Sequence, residues 1–247
     1  MERVEILYQD RNIIVISKPC GLMSVGFEGF RGRTAENLIE NILRKKGEYS
    51  QKYRPFAVHR LDRDTSGVMM FATNERAQKI IMDSWHKMVK HRKYIALSET
   101  PVNFTKYGIL PESGIIDDKL SYNAYNIGYV AGHDEKKNAD RSQKTRTDSR
   151  NPEKKEITAR THFRILKSST KFTLFELELD TGRKNQIRAH LASKGYPIAG
   201  DQNYRSHVNP FDRLCLHART LEYVDPWSDE LHSFEVAEPE EWQKMVK

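Results

Sequence analysis

Apolar positions recur along this chain at two periods, and each predicts a different kind of element. Over 34–46, Leu38, Ile39, Ile42 and Leu43 share one stripe of a helical turn, with Thr34 placed as N-cap, Arg44, Lys45 and Lys46 in the last turn and Gly47 at the stop. Residues 74–90 repeat the pattern with Asn74 as N-cap and Ala77, Ile80, Ile81, Trp85 and Met88 as a core-facing stripe, while Lys79, Lys87 and Lys90 face elsewhere. Over 172–179 the period drops to two, placing Phe175, Leu177 and Leu179 on one face of a strand and Glu176 and Glu178 on the other. Val68 to Ala72 is an unbroken apolar run, which suits a strand buried on both faces, and Gly67 allows a sharp entry into it. A short helix is expected over 186–193, stopped by Gly195 and Pro197.

Between His133 and Lys155 the only aliphatic side chain is Ala139, amid Lys, Arg, Asp, Ser and Asn. That composition predicts a long mobile charged loop, read as an insertion at 133–155 within one domain spanning 1–247. No internal repeat is present. The periods alone give a mixed, strand-rich pattern with helices between groups of strands.

Composition narrows the class. Hydrophobic residues at 38% and charged residues at 30% are polar for a folded protein, yet the periodic apolar segments argue against disorder. No apolar stretch approaches the length of a membrane span, and Met1-Glu2-Arg3-Val4-Glu5 lacks a secretory pattern, so an intracellular, cytoplasmic protein is expected. The two cysteines, Cys20 and Cys215, suit a reducing compartment and are expected to be buried and unpaired.

Net charge is +7, unevenly spread. Residues 222–247 hold eight acidic and two basic side chains, which leaves 39 Lys and Arg against 26 Asp and Glu in residues 1–221, an excess of +13 there. Such an excess favours phosphate-bearing partners without distinguishing RNA, DNA or an anionic membrane surface. The acidic C-terminal stretch either limits nonspecific binding or is an ordinary solvated terminus around Trp227 and Trp242.

Candidate chemistry concentrates in 57–72, where charged residues sit between two apolar segments. Asp62 precedes a buried strand, which would hold it rigidly, and Arg60 and Arg63 surround it with positive charge. That suits a nucleophile or base acting on a polyanion. The alternative is that Asp62 merely pairs with an arginine while Thr65 and Ser66 build a turn.

His59-Arg60-Leu61-Asp62, followed after two residues by Thr65-Ser66-Gly67, resembles the catalytic-loop signature of the RluA family of RNA pseudouridine synthases. Three further blocks follow that family's order. Ile13 to Leu22 resembles its opening strand and Lys-Pro-x-Gly-Leu turn, and Lys93-Tyr94-Ile95-Ala96-Leu97 resembles its tyrosine segment. Thr181-Gly182-Arg183-Lys184-Asn185-Gln186-Ile187-Arg188-Ala189-His190-Leu191, with Gly200-Asp201 beyond, resembles its Gln-Ile-Arg block and Gly-Asp turn. Asn185 stands where the family most often has histidine, and the sequence reaches its first expected strand within a few residues where many relatives carry an S4-type RNA-binding module, so substrate capture is expected to rest on the catalytic domain.

The resemblance implies an α+β protein with the pseudouridine synthase fold: a long, bent, mainly antiparallel sheet flanked by helices and loops, with a central catalytic cleft. It implies isomerisation of uridine to pseudouridine in structured RNA, ribosomal or transfer, by a monomer needing no cofactor and no obligate protein partner. By the same resemblance Asp62 is the catalytic carboxylate, Arg188 its salt-bridge partner, Tyr94 the ring that stacks on the base, and Arg60 the side chain that enters the RNA stack where the base has left. From their place between a strand and a helix, Arg183 and Lys184 are expected to receive phosphates with the free amides of that helix start. Lys18-Pro19 reads as a structural turn and His59 as a satisfied hydrogen-bonding group. No metal-ligand spacing or glycine-rich nucleotide loop appears, so no metal is expected. The rivals are a noncatalytic RNA-binding or RNA-chaperone protein of the same fold, and a metal-dependent nuclease using Asp62 and Asp64.

Overall fold

The computed structural model describes residues 3–102, 107–131 and 156–247, so the charged segment expected at 133–155 lies outside the described residues. Its elements in chain order are β1 (Glu5–Gln9), β2 (Ile13–Lys18), α1 (Ala35–Lys46), β3 (Phe56–Ala57), β4 (Ser66–Ala72), α2 (Glu75–Met88), β5 (Val89–Glu99), β6 (Ser113–Ile116), β7 (Leu120–Tyr122), β8 (Gly128–Val130), β9 (Thr161–Ser168), β10 (Phe172–Leu179), α3 (Gln186–Ser193), β11 (Leu216–Val224), β12 (Leu231–Glu235) and α4 (Glu240–Lys244). One sheet runs β1-β2-β4-β11-β5-β10-β9-β6, with β12 on β11 and β3 on β4, and β7 pairs with β8 separately. Within that sheet every pairing is antiparallel except β11 with β4.

Alternation along the strands sorts the core into two layers. Ile14, Ile16, Met69 and Phe71 face the layer that holds Ile39 and Leu43 of α1. Ile13, Val15, Val68 and Met70 face the layer that holds Ala77 and Ile81 of α2. β4 is therefore buried at every residue, as its unbroken apolar run requires. Thr34 caps α1 by accepting from the Asn37 backbone amide, and Asn74 caps α2 by accepting from that of Ala77.

Tertiary pairing moves three boundaries or assignments. α2 ends at Met88, short of Lys90, because Val89 turns extended and pairs with Tyr223 of β11. The C-terminal stretch is no solvated tail: β12 extends the sheet, and Trp242 of α4 is fully buried. Its charge pattern misleads because the apolar face of one short helix outweighs the acids around it. Both cysteines lack a disulfide, but only Cys215 is buried; Cys20 is half-buried, its thiol donating to the Asp64 carbonyl at 3.0 Å.

The central strands also set the site. Gly67, Ala218, Tyr94 and Leu177 lie side by side across β4, β11, β5 and β10. Gly67 has φ +116°, and a Cβ there would lie 2.0 Å from the Ala218 carbonyl oxygen. Only glycine fits where β11 runs so close.

Candidate active site

Asp62 sits in the loop between β3 and β4, and both of its neighbours are clamped. The Ser24 hydroxyl donates to the Leu61 carbonyl at 2.7 Å and accepts from the Leu61 amide at 3.1 Å. The Lys18 ammonium, wholly buried, donates to the carbonyls of Pro19, Leu22 and Arg63 at 3.0, 2.7 and 3.0 Å. Three acceptors match its three donors, so Lys18 ties the turn after β2 to the Asp62 loop. Burial pushes its pKa down to about 8, with the charges of Asp64 and Asp62 opposing that fall. The Thr65 amide donates back to the Asp62 carbonyl at 3.1 Å and closes the turn.

The helix α3 supplies the partners of the carboxylate. Asn185 stands at its N-cap with φ 57°, a left-handed conformation that asparagine tolerates well, and makes no capping bond. Its side chain is instead turned to Asp62, with Nδ2 donating to Oδ2 at 2.7 Å. One turn on, Arg188 Nη1 reaches the same oxygen at 3.3 Å. The main partner of Arg188 is Asp201, contacted at 2.7 and 2.8 Å through Nε and Nη2 in a bidentate fork. Side-chain exposure is 9% for Arg188 and 1% for Asp201, against 20% for Asp62. The Arg188–Asp201 pair is thus a buried platform, and Asp62 is the member that solvent reaches most. Burial opposes the Arg188 charge, but the bonds and charge of Asp201, then the charge of Asp62, hold its pKa above the usual arginine value. Gly200, with φ +79° and room for no Cβ beside the Arg213 carbonyl, brings Asp201 into place.

Gln186 explains why α3 sits where it does. Its carbonyl oxygen accepts from the Thr181 hydroxyl and the Arg183 amide, while its amide nitrogen donates to the Arg160 carbonyl and the Thr161 hydroxyl oxygen. A buried side chain with donors and acceptor all engaged fixes the helix against β9.

Aromatic rings line the surroundings. Tyr94 is buried on β5, and burial raises its pKa; Arg92 opposes the shift and the nearby Asp62 charge reinforces it. The Arg188 guanidinium lies 5.1 Å from the centre of the Tyr204 ring. Tyr122 donates to the Lys184 carbonyl at 3.3 Å. His59 Nε2 accepts from the Met70 amide at 2.9 Å, and burial followed by the Arg92 charge pulls its pKa down to about 3. It is a neutral acceptor that pins the loop to β4.

Of the residues expected from sequence, Asp62 and Arg188 meet directly, and Tyr94 lies within their electrostatic reach. Arg60, Arg183 and Lys184 are exposed and make no direct contact with Asp62. Of the helix-start amides expected for phosphate, that of Arg183 is taken by Gln186, and the Arg183 Nε donates to the Thr158 carbonyl at 3.2 Å. Asp64 pairs with Arg63 at 3.0 Å while Asp62 turns to α3, so the two carboxylates do not converge as a metal site requires. Sequence reading missed Tyr204, Tyr122 and the pairing of Asp201 with Arg188. The Gly200-Asp201 turn was visible in the sequence, but nothing local tells which cation its carboxylate meets.

Comparison with known proteins agrees with this geometry. The family described as RNA pseudouridylate synthase matches residues 12–193. "Uncharacterized RNA pseudouridine synthase YhcT" of Bacillus subtilis (strain 168) is 33% identical over 246 residues, covering 99% of this chain and 72% of that protein. "Ribosomal large subunit pseudouridine synthase D" of Nitrosomonas europaea is 29% identical over 253 residues, covering 99% of this chain and 64% of that protein. The solved structure of "Human RNA Pseudouridylate Synthase Domain Containing 4" superposes with TM-score 0.71 at 21% identity, covering 97% of this chain and 90% of that one. The chain belongs to the RluA family of RNA pseudouridine synthases. It has the α+β pseudouridine synthase fold, and it is an isomerase acting on RNA. Among the described residues no helix is long and apolar enough to cross a membrane.

Proposed function

We propose that this protein converts one or a few uridines of structured ribosomal or transfer RNA to pseudouridine, with Asp62 as the catalytic carboxylate. The observation that carries the reading is the asymmetry of that carboxylate. Asn185 and Arg188 both hold Oδ2, whereas Oδ1 has no partner among the described residues. One oxygen anchors and orients; the other is left for the substrate.

The reaction breaks the N1–C1′ bond, turns the detached uracil and joins C5 to C1′; C5 gives up its proton and N1 gains one. No electrons are exchanged and no net water is consumed. Attack on the sugar, attack on the base and removal of a sugar proton all call for one rigid carboxylate beside the ribose, which the clamped loop provides. Tyr94 would cover one face of the uracil, and Arg188 would keep Asp62 ionised and aimed. Arg60, exposed beside the loop, would fill the gap left by the extruded nucleotide, with Arg183 and Lys184 holding phosphates nearby. Residues 1–247 would act as one catalytic domain, a monomer in the cytoplasm; the single-domain reading is supported by Tyr94 on the ten-stranded sheet, Asp62 and Arg60 in the loop that enters its strand β4, and Arg188 on α3.

The test is incubation of the purified protein with unmodified ribosomal and transfer RNA transcripts, followed by chemical mapping of pseudouridine. Wild type should modify discrete uridines, and Asp62→Asn should lower the single-turnover rate by more than about a hundredfold with RNA affinity retained. Residual turnover within about tenfold of wild type would overturn the assignment of Asp62. RNA binding without any modification would leave the noncatalytic rival standing.

A further inference from the structure

A second polar site lies where β2 ends and β4 and β11 begin, beside the segment before α4. There a cavity of about 360 Å³ is lined by Arg3, Ser17, Lys18, Ser66, Arg213 and His217 among others, with no carboxylate among the described lining residues. Arg3 and Arg213 line one space, and Lys18, wholly buried, stands in its wall. Lys18 contributes charge alone, since the carbonyls of Pro19, Leu22 and Arg63 engage its donors. Arg213 contributes charge and free donors. Its Nε donates to the Leu214 carbonyl at 3.2 Å and one Nη2 hydrogen goes to the Ser66 hydroxyl oxygen at 2.6 Å, which leaves Nη1 without a partner among the described residues. The exposed Arg3 guanidinium and the half-buried Ser17 hydroxyl likewise have no partner among the described residues. Glu238, between the lining residues Ala237 and Pro239, pairs with Arg219 at 3.4 Å and accepts from Gln243 at 2.7 Å.

Arg213 is also held in one orientation. Arg213 donates to Ser66, the Ser66 hydroxyl donates to His217 Nδ1 at 2.8 Å, and His217 Nε2 donates to the Val236 carbonyl at 2.9 Å. The chain of bonds has a single direction, which requires a neutral His217 with its proton on Nε2; burial, the first cause, lowers the His217 pKa and keeps it so. The Arg213 guanidinium also lies 5.4 Å from the centre of the Trp242 ring. A fixed arginine, a second arginine and a hydroxyl, with the charge of Lys18 behind them and no carboxylate among the described lining residues, match the charge and hydrogen-bonding needs of a tetrahedral oxyanion.

We propose that this pocket is a phosphate-binding subsite, separate from the Asp62 carboxylate, that takes a single phosphate group. A phosphodiester of the RNA strand and free inorganic phosphate present the same oxygens to it. Lys18 connects the two sites, since its ammonium clamps the Asp62 loop while the residue, wholly buried, stands in the wall of this cavity. The inference does not depend on Asp62 performing the chemistry, because its test reads binding and not pseudouridine.

Inorganic phosphate titrated into the full-length protein should shift the Trp242 indole NMR resonance saturably, with a dissociation constant on the order of millimolar, while chloride at equal ionic strength does not. Arg3→Gln, a change at an exposed residue that leaves the fold in place, should weaken that binding about tenfold, and Arg213→Gln should weaken it further. A second arm measures the affinity of a stem-loop RNA in the Arg3→Gln variant. If the RNA backbone is the source, affinity falls, the log-log salt slope drops by about one, and inorganic phosphate competes with RNA in wild type. If free phosphate is the source, the phosphate titration remains and RNA affinity is unchanged. The proposal is overturned if phosphate gives no saturable shift in wild type, or the same shift in Arg3→Gln.

Discussion

Asn185 holds the Asp62 carboxylate more closely than Arg188 does, at 2.7 Å against 3.3 Å, and both contact the same oxygen. An amide donor therefore does part of the work that the arginine alone was expected to do. Replacing Asn185 by glycine keeps the left-handed backbone unstrained and removes only the donor. The expected result is a fall in single-turnover rate of about tenfold to a hundredfold, the worth of a hydrogen bond to a charged group, with unchanged RNA affinity. Equal rates in the two proteins would remove Asn185 from the positioning of Asp62.

Arg188 and Asp201 should separate stability from chemistry. Asp201→Ala strips the bidentate partner from a buried guanidinium and should cost about 3–5 kcal/mol in urea unfolding, whereas Asp62→Asn, at the more exposed end, should cost well under half of that. Arg188→Lys retains one charge but cannot reach two carboxylates with a planar fork, so it should stay folded and lose most of its single-turnover rate.

Acid should destabilise this protein through three neutral histidines, His190 and His217 buried and His59 half-buried. The pKa of His59 falls from 6.5 to about 3 on folding, and those of His190 and His217 are also lowered, by burial first in each case. Below pH 6.5 the unfolded chain takes up protons that the folded one refuses, so their contribution is complete above that pH and is lost as pH falls toward 3. The urea midpoint should decline from pH 7 to pH 5, and His59→Gln should flatten that decline. A midpoint that rises on acidification would contradict the assignment of His59 as a neutral acceptor.

RNA capture should be strongly ionic, given the +13 excess over residues 1–221. A plot of log affinity against log salt should be steep and linear, with a slope near −0.9 for each phosphate neutralised on duplex RNA segments, taking the B-DNA value as a guide. Arg60 is exposed, so Arg60→Ala should leave the melting temperature within about 2 °C. It should still weaken RNA binding or base extrusion, read as a several-fold change in affinity or in the rate at saturating RNA. A flat salt response would rule out electrostatic capture.

Much of the framework was legible because its causes are local. Thr34 and Asn74 cap their helices through amides three residues on, and the apolar run of β4 announces burial on both faces. The block from Thr181 to Leu191 was visible as a unit, and so was Asp62 ahead of its strand. The details of that block were not. An asparagine at an N-cap ordinarily bonds the helix amides, yet Asn185 bonds a carboxylate 123 positions away. Likewise the acids near the C-terminus suggested a solvated tail, while Trp242 is wholly buried.

The sequence by itself determined α1, α2, α3 and the buried central strand, because caps, periodicity and apolar runs act over a few residues, and its resemblance to a family singled out the candidate carboxylate. Only the tertiary structure decided that Asn185 and Arg188 share one oxygen of Asp62, that Asp201 anchors Arg188, and that Arg213, Ser66 and His217 form a directed chain. Those partners are set by the register of β4, β11, β5 and β10, and by a buried polar group's need to find whichever donor or acceptor that register places beside it.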